Sequence, residues 1–421
     1  MIVLAAGLTL AACSSRVVAE PSPAGPCDYM KLIADNPEYL FATDRLYPTD
    51  YIALTPAPKG YKPFYISHYG RHGARYAWQS DLYDTLEGLF SKEAASDNLT
   101  PLGKSFKDRF DSLYPSVRYR VGDLSRKGWQ QQTELGELMY DNFPAVFTDD
   151  AAVRAWTSTS TRCVMTMSAF CIGLKGRNPK IDIFENFGKY FLPAILPLDG
   201  HNPFRRSDYK VTPLSLEEDI DSYARRTVDC RAILSRLFSD PEAAVPTEKQ
   251  LDIVSYLYYF AAGMNSLDTD LDFTDIFTHE QRVAMWKADN YQFYCYGWPV
   301  HLGYMPIVED IIAKADERIE KGEKGADLRF GHDYTILPLM MILDVDGMGH
   351  DVKDPEDVSS WCRTDQVPMG ANLQIIFYRK PSGGDILFKV LHNGREAHIG
   401  LETDIWPYYR WSSFKARWGG E

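Results

Sequence analysis

One stretch decides the fold of this chain, and it reads Phe64-Tyr65-Ile66-Ser67-His68-Tyr69-Gly70-Arg71-His72-Gly73-Ala74-Arg75-Tyr76. Its apolar, β-prone beginning predicts a strand, and the Gly-, Arg- and His-rich residues after it predict a turn. A helical pattern follows from Asp81. Open α/β sheets bind their ligands where a strand passes through a loop into a helix, so we expect a ligand at this turn.

The residue types in this loop indicate phosphate chemistry. Arg71 and Arg75 flank His72, and guanidinium groups bind phosphate oxygens in a bidentate manner. A neutral imidazole nitrogen is a nucleophile, and two neighbouring cations lower the pKa of a histidine, which keeps that nitrogen free. The loop therefore predicts a phosphate site at which His72 attacks phosphorus.

A second strand-loop-helix unit contributes another arginine. Residues 152–156 predict a strand, the Ser/Thr run at 157–161 a turn, and Arg162 begins an apolar helix through Phe170 to Leu174. Anions bind well at a helix start, because free backbone N–H groups and the helix dipole both face them. We expect Arg162 to hold phosphate there. Arg154, on the strand, is a weaker candidate.

A third unit brings a histidine beside a carboxylic acid. Residues 328–330 predict a strand, Gly331-His332-Asp333 a turn, and an apolar helix follows from Thr335. His332 is expected to act as a further positive clamp on phosphate oxygens, and Asp333 to protonate the departing alkoxide. A second Gly-His-Asp, at residues 349–351, lies among acidic residues and is predicted to be a surface loop.

Composition limits the class of protein. The chain has 421 residues, of which 45% are hydrophobic and 24% charged, as in globular proteins. It is too long for one ordinary core, so we expect two domains or a core with a large insertion. The net charge of -13 argues against nucleic-acid binding but allows a local phosphate pocket. No Cys or His pattern predicts a metal site, and we expect neither a metal nor a cofactor.

The order of predicted elements suggests where the insertion lies. Helical patterns cover 214–238, 247–263, 278–294 and 303–321, and no confident strand falls between 185 and 325. We therefore predict an α/β core at residues 31–175 and 325–421, with a helical cap at 176–324. Two strand-like runs at 373–378 and 385–391 predict a hairpin at a sheet edge. Three basic residues at the start of the cap either hold distal phosphates or form a solvated loop: Arg205, Arg206 and Lys210.

These pieces together resemble branch 2 of the histidine phosphatase superfamily, over roughly residues 60–400. Arg71-His72-Gly73-Ala74-Arg75 matches its Arg-His-Gly-x-Arg signature, and the chain looks most like the phytase and multiple inositol-polyphosphate phosphatase group. The resemblance implies a mostly parallel sheet flanked by helices, with a core like that of phosphoglycerate mutase and a helical cap. One departure is that His332-Asp333-Tyr334 stands where the multiple inositol-polyphosphate type has His-Ala-Glu, with Tyr334 at the place of the glutamate.

By this resemblance, His72 forms a phosphohistidine and Asp333 protonates the leaving group. The remaining expected ligands of the phosphoryl oxygens are Arg71, Arg75, Arg162 and His332. Activity is then expected to be highest at acidic to mildly acidic pH. The resemblance implies inositol polyphosphates such as phytate as substrates and a monomeric enzyme. Three alternatives stay open: an acid phosphatase for small sugar phosphates, a lipoprotein that binds phosphorylated ligands without turnover and, less favoured, a phosphoglycerate mutase.

The beginning of the chain predicts export. Residues 1–12 are almost wholly apolar and end in Leu10-Ala11-Ala12 before Cys13. Such a run is typical of an export signal, and its ending resembles the bacterial lipoprotein box, in which the cysteine is acylated. We expect a signal peptide at 1–12, a membrane anchor at Cys13 and a tether at 13–30, with the protein periplasmic or at the cell surface. A simple secretory signal with an incidental Cys13 is the alternative. The pairing of the six other cysteines is left open.

Overall fold

The β-prone runs of the sequence form a single mixed sheet. The structure is a computed structural model and describes residues 25–49, 52–205 and 214–420. The strands of the described residues are β1 (Lys62–Arg71), β2 (Ala152–Thr157), β3 (Asp182–Phe187), β4 (Gly325–Gly331), β5 (Asn372–Arg379), β6 (Leu387–His392), β7 (Arg395–Glu396) and β8 (Tyr409–Arg410).

The sheet has a parallel half and an antiparallel half. Its strand order is β3-β2-β4-β1-β5-β6-β7, and β8 pairs with β6. Strands β3, β2, β4 and β1 run parallel to one another, whereas β5 is antiparallel to β1 and forms a hairpin with β6. The predicted mostly parallel sheet and the predicted hairpin are confirmed.

Helices surround the sheet on both faces and form a separate layer beside it. They are α1 (Tyr29–Asp35), α2 (Leu82–Ala95), α3 (Pro101–Val117), α4 (Arg126–Asn142), α5 (Thr161–Arg177), α6 (Leu214–Thr227), α7 (Cys230–Leu234), α8 (Pro241–Ala244), α9 (Gln250–Gly263), α10 (His279–Gly297), α11 (Met305–Lys321), α12 (Asp333–Leu343), α13 (Val358–Trp361) and α14 (Trp411–Trp418). No helix in these described ranges is long and apolar enough to cross a membrane.

Alternation along the central strands separates two hydrophobic cores. Ala326, Leu328 and Phe330 of β4 pack with α4 and α5 on one face. Tyr65 and Tyr69 of β1 pack with α11, α12 and α14 on the other face. Side chains alternate between the two faces of a strand, so β1 contributes to both cores, with Ile66 in the first and Tyr65 and Tyr69 in the second.

A third core lies among helices and has no strand in it. Buried residues of α2 and α3, such as Phe90 and Phe106, pack with residues of α7, α9 and α10, such as Phe260. Helices α2 and α3 fall in the segment predicted to be α/β core, so the helical layer is built from two separate parts of the chain.

Two elements of the predicted cap belong to the sheet region. Strand β3 pairs with β2, in parallel, along its whole length, although the sequence predicts no confident strand between residues 185 and 325. Helix α11 contributes Ile307 and Ile311 to the core under β1. The cap boundaries at 176 and 324 stay a prediction.

The predicted signal, Cys13 and most of the tether lie outside the described residues. The last part of the predicted tether is fixed on the fold, because the Cys27 N–H donates to the Ser360 carbonyl at 2.9 Å and α1 begins at Tyr29. The six described cysteines are free thiols. The second Gly-His-Asp lies in an exposed loop, as predicted, with His350 stacked on Trp361.

Candidate active site

Three neighbouring strands deliver the predicted site residues to one edge of the sheet. β2, β4 and β1 are adjacent and parallel, with Arg71 opposite Gly331 and Thr157 opposite Phe330. Their carboxyl ends therefore meet at the same edge, which is where open α/β sheets bind ligands. The loops that follow these ends carry His72, Arg162 and the pair His332-Asp333.

His72 is held with one ring nitrogen free. It is 2% exposed, its N–H backbone group donates to the Gly331 carbonyl at 3.0 Å, and its Nδ1 lies 2.9 Å from the Gly73 carbonyl. Because a carbonyl oxygen can only accept, Nδ1 must carry the hydrogen, and Nε2 keeps its lone pair. His72 is therefore the nucleophile-ready tautomer, with its ring centre 5.6 Å from that of His332.

The surroundings keep both histidines neutral. Burial, followed by the charges of Arg71 and Arg162, lowers the pKa of His72 well below its ordinary value. Burial and Arg162 lower the pKa of His332 to about 3. The sequence prediction of a positive clamp at His332 does not fit this environment, because a buried imidazole among arginines does not hold a proton. In the unliganded site His332 acts as a neutral hydrogen-bonding group.

His332 is oriented by groups from the second strand-loop-helix unit. Arg162 Nη2 lies 3.3 Å from His332 Nδ1, and Ser158 Oγ lies 3.3 Å from His332 Nε2. An arginine can only donate, so Nδ1 accepts and Nε2 carries the hydrogen that reaches Ser158. The ring of Tyr334 stacks on the imidazole at 4.8 Å between centres. These contacts fix the ring at the start of α12.

Arg71 lies beneath the pocket and holds the proposed acid. Its side chain is fully buried, and Nη2 lies 2.6 Å from Asp333 Oδ2. Its Nη1 donates to the carbonyls of Thr43 and Val367. Burial alone would raise the pKa of Asp333, but the charges of Arg71 and Arg75 outweigh it and hold the pKa below its ordinary value. Asp333 is therefore a carboxylate in the unliganded site.

The three arginines retain donors without partners. Arg75 Nη1 lies 3.5 Å from Asp44 Oδ1, and Arg162 contacts His332 as described. The buried Nε atoms of Arg71, Arg75 and Arg162 have no hydrogen-bond partner among the described residues. Buried donors are rarely left unsatisfied in proteins, so this cluster fits a bound anion.

The phosphate loop depends on a close approach between α4 and the chain after His72. A Cβ built on Gly128 would lie only 2.1 Å from the Ala74 carbonyl oxygen. The Ser125 side chain, which caps α4, also donates to that carbonyl at 3.1 Å. Helix α4 therefore fixes the backbone between His72 and Arg75.

A cavity of about 210 Å³ opens above these groups. The predicted residues in its lining are His72, Arg75, Arg162, His332 and Asp333. Its remaining walls are largely aromatic or apolar and include Thr43, Trp78, Tyr259, Gln292, Phe293, Tyr296, Gly297, Tyr334, Leu337 and Pro338. Trp78 and Tyr334 are 56% and 45% exposed, so they stand at the mouth.

The structure thus brings together the six residues predicted for catalysis, while their roles stay predictions. Arg154 is not part of the cluster, because it pairs with Asp327 and Glu317 on the α11 side of the sheet. Arg205 is half-buried and does not line this cavity. Arg206 and Lys210 lie outside the described residues, so the proposed distal phosphate site stays a prediction.

Sequence reasoning missed the walls of the pocket. Thr43 comes from a 3-10 helix at Pro37–Asp44, and Tyr259 and Tyr296 come from α9 and α10. None belongs to a recognisable motif, and each lies on a helix far along the chain from the loop it faces. Only Tyr334, next to Asp333, had a sequence signal.

Comparisons with known proteins point to one family. The sequence model for the histidine phosphatase superfamily (branch 2) matches residues 70–393. No curated protein sequence matches the chain.

Solved structures share its fold at low sequence identity. The multiple inositol polyphosphate phosphatase of Bifidobacterium longum, solved with inositol hexasulfate, is 16% identical with a TM-score of 0.71, over 90% of this chain and 97% of that one. The phytase of D. castellii is 16% identical with a TM-score of 0.66, over 91% and 84%. The Hafnia alvei phytase with myo-inositol hexakis sulphate is 15% identical with a TM-score of 0.52, over 86% and 98%.

Proposed function

Because the chain belongs to branch 2 of the histidine phosphatase superfamily, we propose that it hydrolyses inositol polyphosphates through a phosphohistidine at His72. The observation that carries this proposal is the single cluster of His72, three arginines, His332 and Asp333 at one sheet edge. A protein that only binds phosphate has no use for a free imidazole nitrogen beside a carboxylic acid.

In the first step His72 Nε2 attacks phosphorus, and the bond from phosphorus to the alcohol oxygen breaks. The guanidinium groups of Arg71, Arg75 and Arg162 stabilise the charge on the non-bridging oxygens. A bound dianion raises the pKa of His332, and the protonated imidazole then donates to one of these oxygens.

Asp333 supplies the proton that the leaving alkoxide needs. In the unliganded site Arg71 keeps Asp333 ionised. A phosphate dianion that binds the arginines weakens their hold on Asp333 and adds negative charge nearby, so the pKa of Asp333 rises on binding. In the second step water attacks the phosphohistidine, Asp333 accepts its proton, and inorganic phosphate leaves.

Inositol phosphates are proposed as substrates because the structural neighbours include phytases and an inositol polyphosphate phosphatase, two of them with inositol sulfates bound. A second candidate is an acid phosphatase for small sugar phosphates. It is favoured by the charge of the pocket, in which Arg75 and Arg162 are the only cationic side chains among the described lining residues.

The two candidates are separated by phosphate release from inositol hexakisphosphate and from glucose 1-phosphate, between pH 3 and 8, with the His72→Ala variant as control. Release of several phosphates from the inositol by wild type alone supports the first candidate. Release from the sugar phosphate alone supports the second. No release from either substrate contradicts both and favours a binding lipoprotein.

The proposed location is an exported compartment, with the protein held on a membrane through Cys13. This proposal rests on the Leu10-Ala11-Ala12-Cys13 ending of the apolar run. Metabolic labelling with a radioactive fatty acid in a bacterial host is expected to label wild type but not the Cys13→Ala variant. Equal absence of label in both would contradict the anchor.

A further inference from the structure

A second, larger cleft adjoins the active-site pocket. It measures about 1030 Å³ and lies among the start of α2 and the helices α6, α9 and α10. The two cavities share four lining residues: Trp78, Tyr259, Gln292 and Tyr296. When the phosphate group of a substrate contacts His72, the leaving group therefore lies next to this cleft.

The side chains of the cleft are acidic. Five carboxylates line it, from Asp81, Glu217, Asp221, Asp252 and Asp289, against one lining cation, Lys249. Ion pairs tie Asp221 to Arg225 at 2.7 Å and Asp252 to Lys249 at 3.3 Å. Asp81 and Glu217 remain as unpaired carboxylates when these pairs are counted as neutral and Asp289 as protonated, because burial raises the pKa of Asp289 to about 7. A second phosphate group would meet like charge here.

Two buried polar atoms in the cleft have no hydrogen-bond partner among the described residues. Gln79 is 8% exposed and Asp289 is 4% exposed, and both line the cleft. Gln79 Oε1 and Asp289 Oδ2 have no hydrogen-bond partner among the described residues, although Tyr259 donates to the other oxygen of Asp289 at 2.6 Å. Unsatisfied buried polar groups are costly, so a ligand that fits this cleft brings hydroxyl groups, which donate to Gln79 Oε1 and accept from or donate to Asp289.

The shared aromatic residues suit the same kind of ligand. Trp78 and Tyr296 are 56% and 41% exposed where the cleft meets the pocket. Aromatic side chains present a flat apolar face and lose little conformational freedom on binding. The carbon framework of a cyclic ligand can pack against such a face. Apolar faces and hydrogen-bond acceptors together fit a polyhydroxylated ring.

We propose that this cleft is the leaving-group subsite and selects ring polyols with free hydroxyl groups beside the reacting phosphate. This inference rests on the proposed function and narrows its substrate class. Among inositol phosphates, those with few phosphate groups have the highest kcat/KM, and inositol hexakisphosphate is hydrolysed with a lower kcat/KM, stepwise toward them. Hydroxyls donate to the acceptors of the cleft, whereas ionised phosphates cannot donate and are repelled.

The test compares three probes on the whole protein: myo-inositol 1-phosphate, inositol hexakisphosphate and cyclohexyl phosphate, which has the ring without hydroxyls. Wild type is expected to show the highest kcat/KM for the monophosphate. In the double variant Asp81→Asn, Glu217→Gln, kcat/KM for the hexakisphosphate is expected to rise about three- to tenfold at low salt, with less effect at high salt. The cyclohexyl phosphate value should stay unchanged.

Two further variants make the result specific. Glu320→Gln removes one charge from the exposed face of α11, away from the lining of either cavity, and is expected to change none of the three values. Gln79→Leu is expected to lower kcat/KM for the monophosphate about two- to tenfold, with cyclohexyl phosphate unaffected, because one hydroxyl contact is lost. Retained cyclohexyl phosphate activity shows that the variant is folded.

The outcomes separate the two proposals. A wild-type preference for hexakisphosphate that the double variant does not alter overturns the subsite, while the phosphatase function stands. Equal losses on the monophosphate and cyclohexyl phosphate in Gln79→Leu also overturn it, because the effect is then not one of hydroxyl binding. No phosphate release from any probe by wild type overturns both the subsite and the proposed function.

Discussion

Arg71 Nη2 lies 2.6 Å from Asp333 Oδ2, and the arginine of this pair is fully buried. The first arginine of the phosphate loop therefore neutralises the proposed general acid when no substrate is present. In the proposed mechanism, a bound phosphate competes with the Asp333 carboxylate for the positive charge of Arg71. The charge balance of the site links substrate binding to the protonation of Asp333.

Asp333→Asn tests the role of the acid. The variant cannot protonate the leaving group, so we expect kcat/KM for inositol monophosphate to fall by about 10²- to 10⁴-fold. The loss should be much smaller for p-nitrophenyl phosphate, because its leaving group departs without a proton. Steady-state kinetics on both substrates measure this. Equal losses on the two would mean that Asp333 positions the site and does not transfer a proton.

The pH dependence follows from the same pair. The pKa of Asp333 is held low in the free enzyme by Arg71 and Arg75, against the effect of burial, and activity requires the protonated acid. Both kcat and kcat/KM should therefore fall as pH rises. Bound phosphate raises the pKa of Asp333, so the fall in kcat should lie at higher pH than the fall in kcat/KM.

This displacement is measured by full pH profiles with one substrate, and the Asp333→Asn variant serves as its control. Asparagine does not titrate, so the variant should lose the displacement between the two profiles. The titration of the substrate phosphate is common to both enzymes and therefore does not distinguish them. A displacement of the same size in the variant would assign the pH effect to another group.

Gly128→Ala tests the packing of α4 on the phosphate loop. The added Cβ would lie 2.1 Å from the Ala74 carbonyl oxygen, so the loop between His72 and Arg75 must move. We expect a loss of about 1–3 kcal/mol in the free energy of unfolding and a lower kcat. Gly88→Ala, in α2, meets no atom within 4 Å and is the matched control. It should be neutral or stabilising by about 0.5–1 kcal/mol.

Asp327 is expected to stabilise the packing of α11 on the sheet. It is fully buried, pairs with Arg154 at 2.7 Å and Arg318 at 3.1 Å, and accepts from the Tyr65 hydroxyl. Asp327→Asn removes the buried charge that both arginines share and leaves the buried Arg318 only its partly exposed partner Glu323, so it should cost about 3–5 kcal/mol in urea unfolding at pH 7. Glu317→Gln, a partly exposed partner of the same Arg154, should cost less than about 1 kcal/mol.

The effect of Asp327 should also depend on pH. Burial would raise its pKa, but Arg154 and Arg318 lower it below the ordinary value. Its stabilising contribution is therefore complete above the pKa of the unfolded chain, about 3.9, and is lost as pH falls through the lower folded value. The difference between wild type and Asp327→Asn should shrink from pH 7 toward pH 2. A constant difference would mean that the destabilisation does not come from the lost charge.

The sequence predicted which residues of the candidate site lie together because the pattern is local. Each strand-loop-helix unit carries its ligands within a few residues of a strand end, as His72 does after β1 and Asp333 after β4. Parallel pairing of these strands then brings the ligands together without further information. The fold class followed from the same pattern.

The parts that the sequence did not predict depend on contacts between distant segments. Helices α2 and α3 pack with α9 and α10 through apolar faces. The sequence shows that a helix has an apolar face, but it does not show which other helix covers that face. Strand β3 is short, and Asp182, Glu185 and Asn186 make up half of its six residues, so its β signal is weak. The neutrality of His332 arises from burial, which a sequence does not display.

The most direct test of the central claim is detection of the phosphohistidine. Wild type mixed with ³²P-labelled inositol phosphate and quenched within milliseconds should yield phosphoenzyme that is stable to alkali and labile to acid, with the label on the peptide that contains His72. His72→Ala should yield none. Wild-type turnover without a labelled protein, or labelled His72→Ala, would contradict the account.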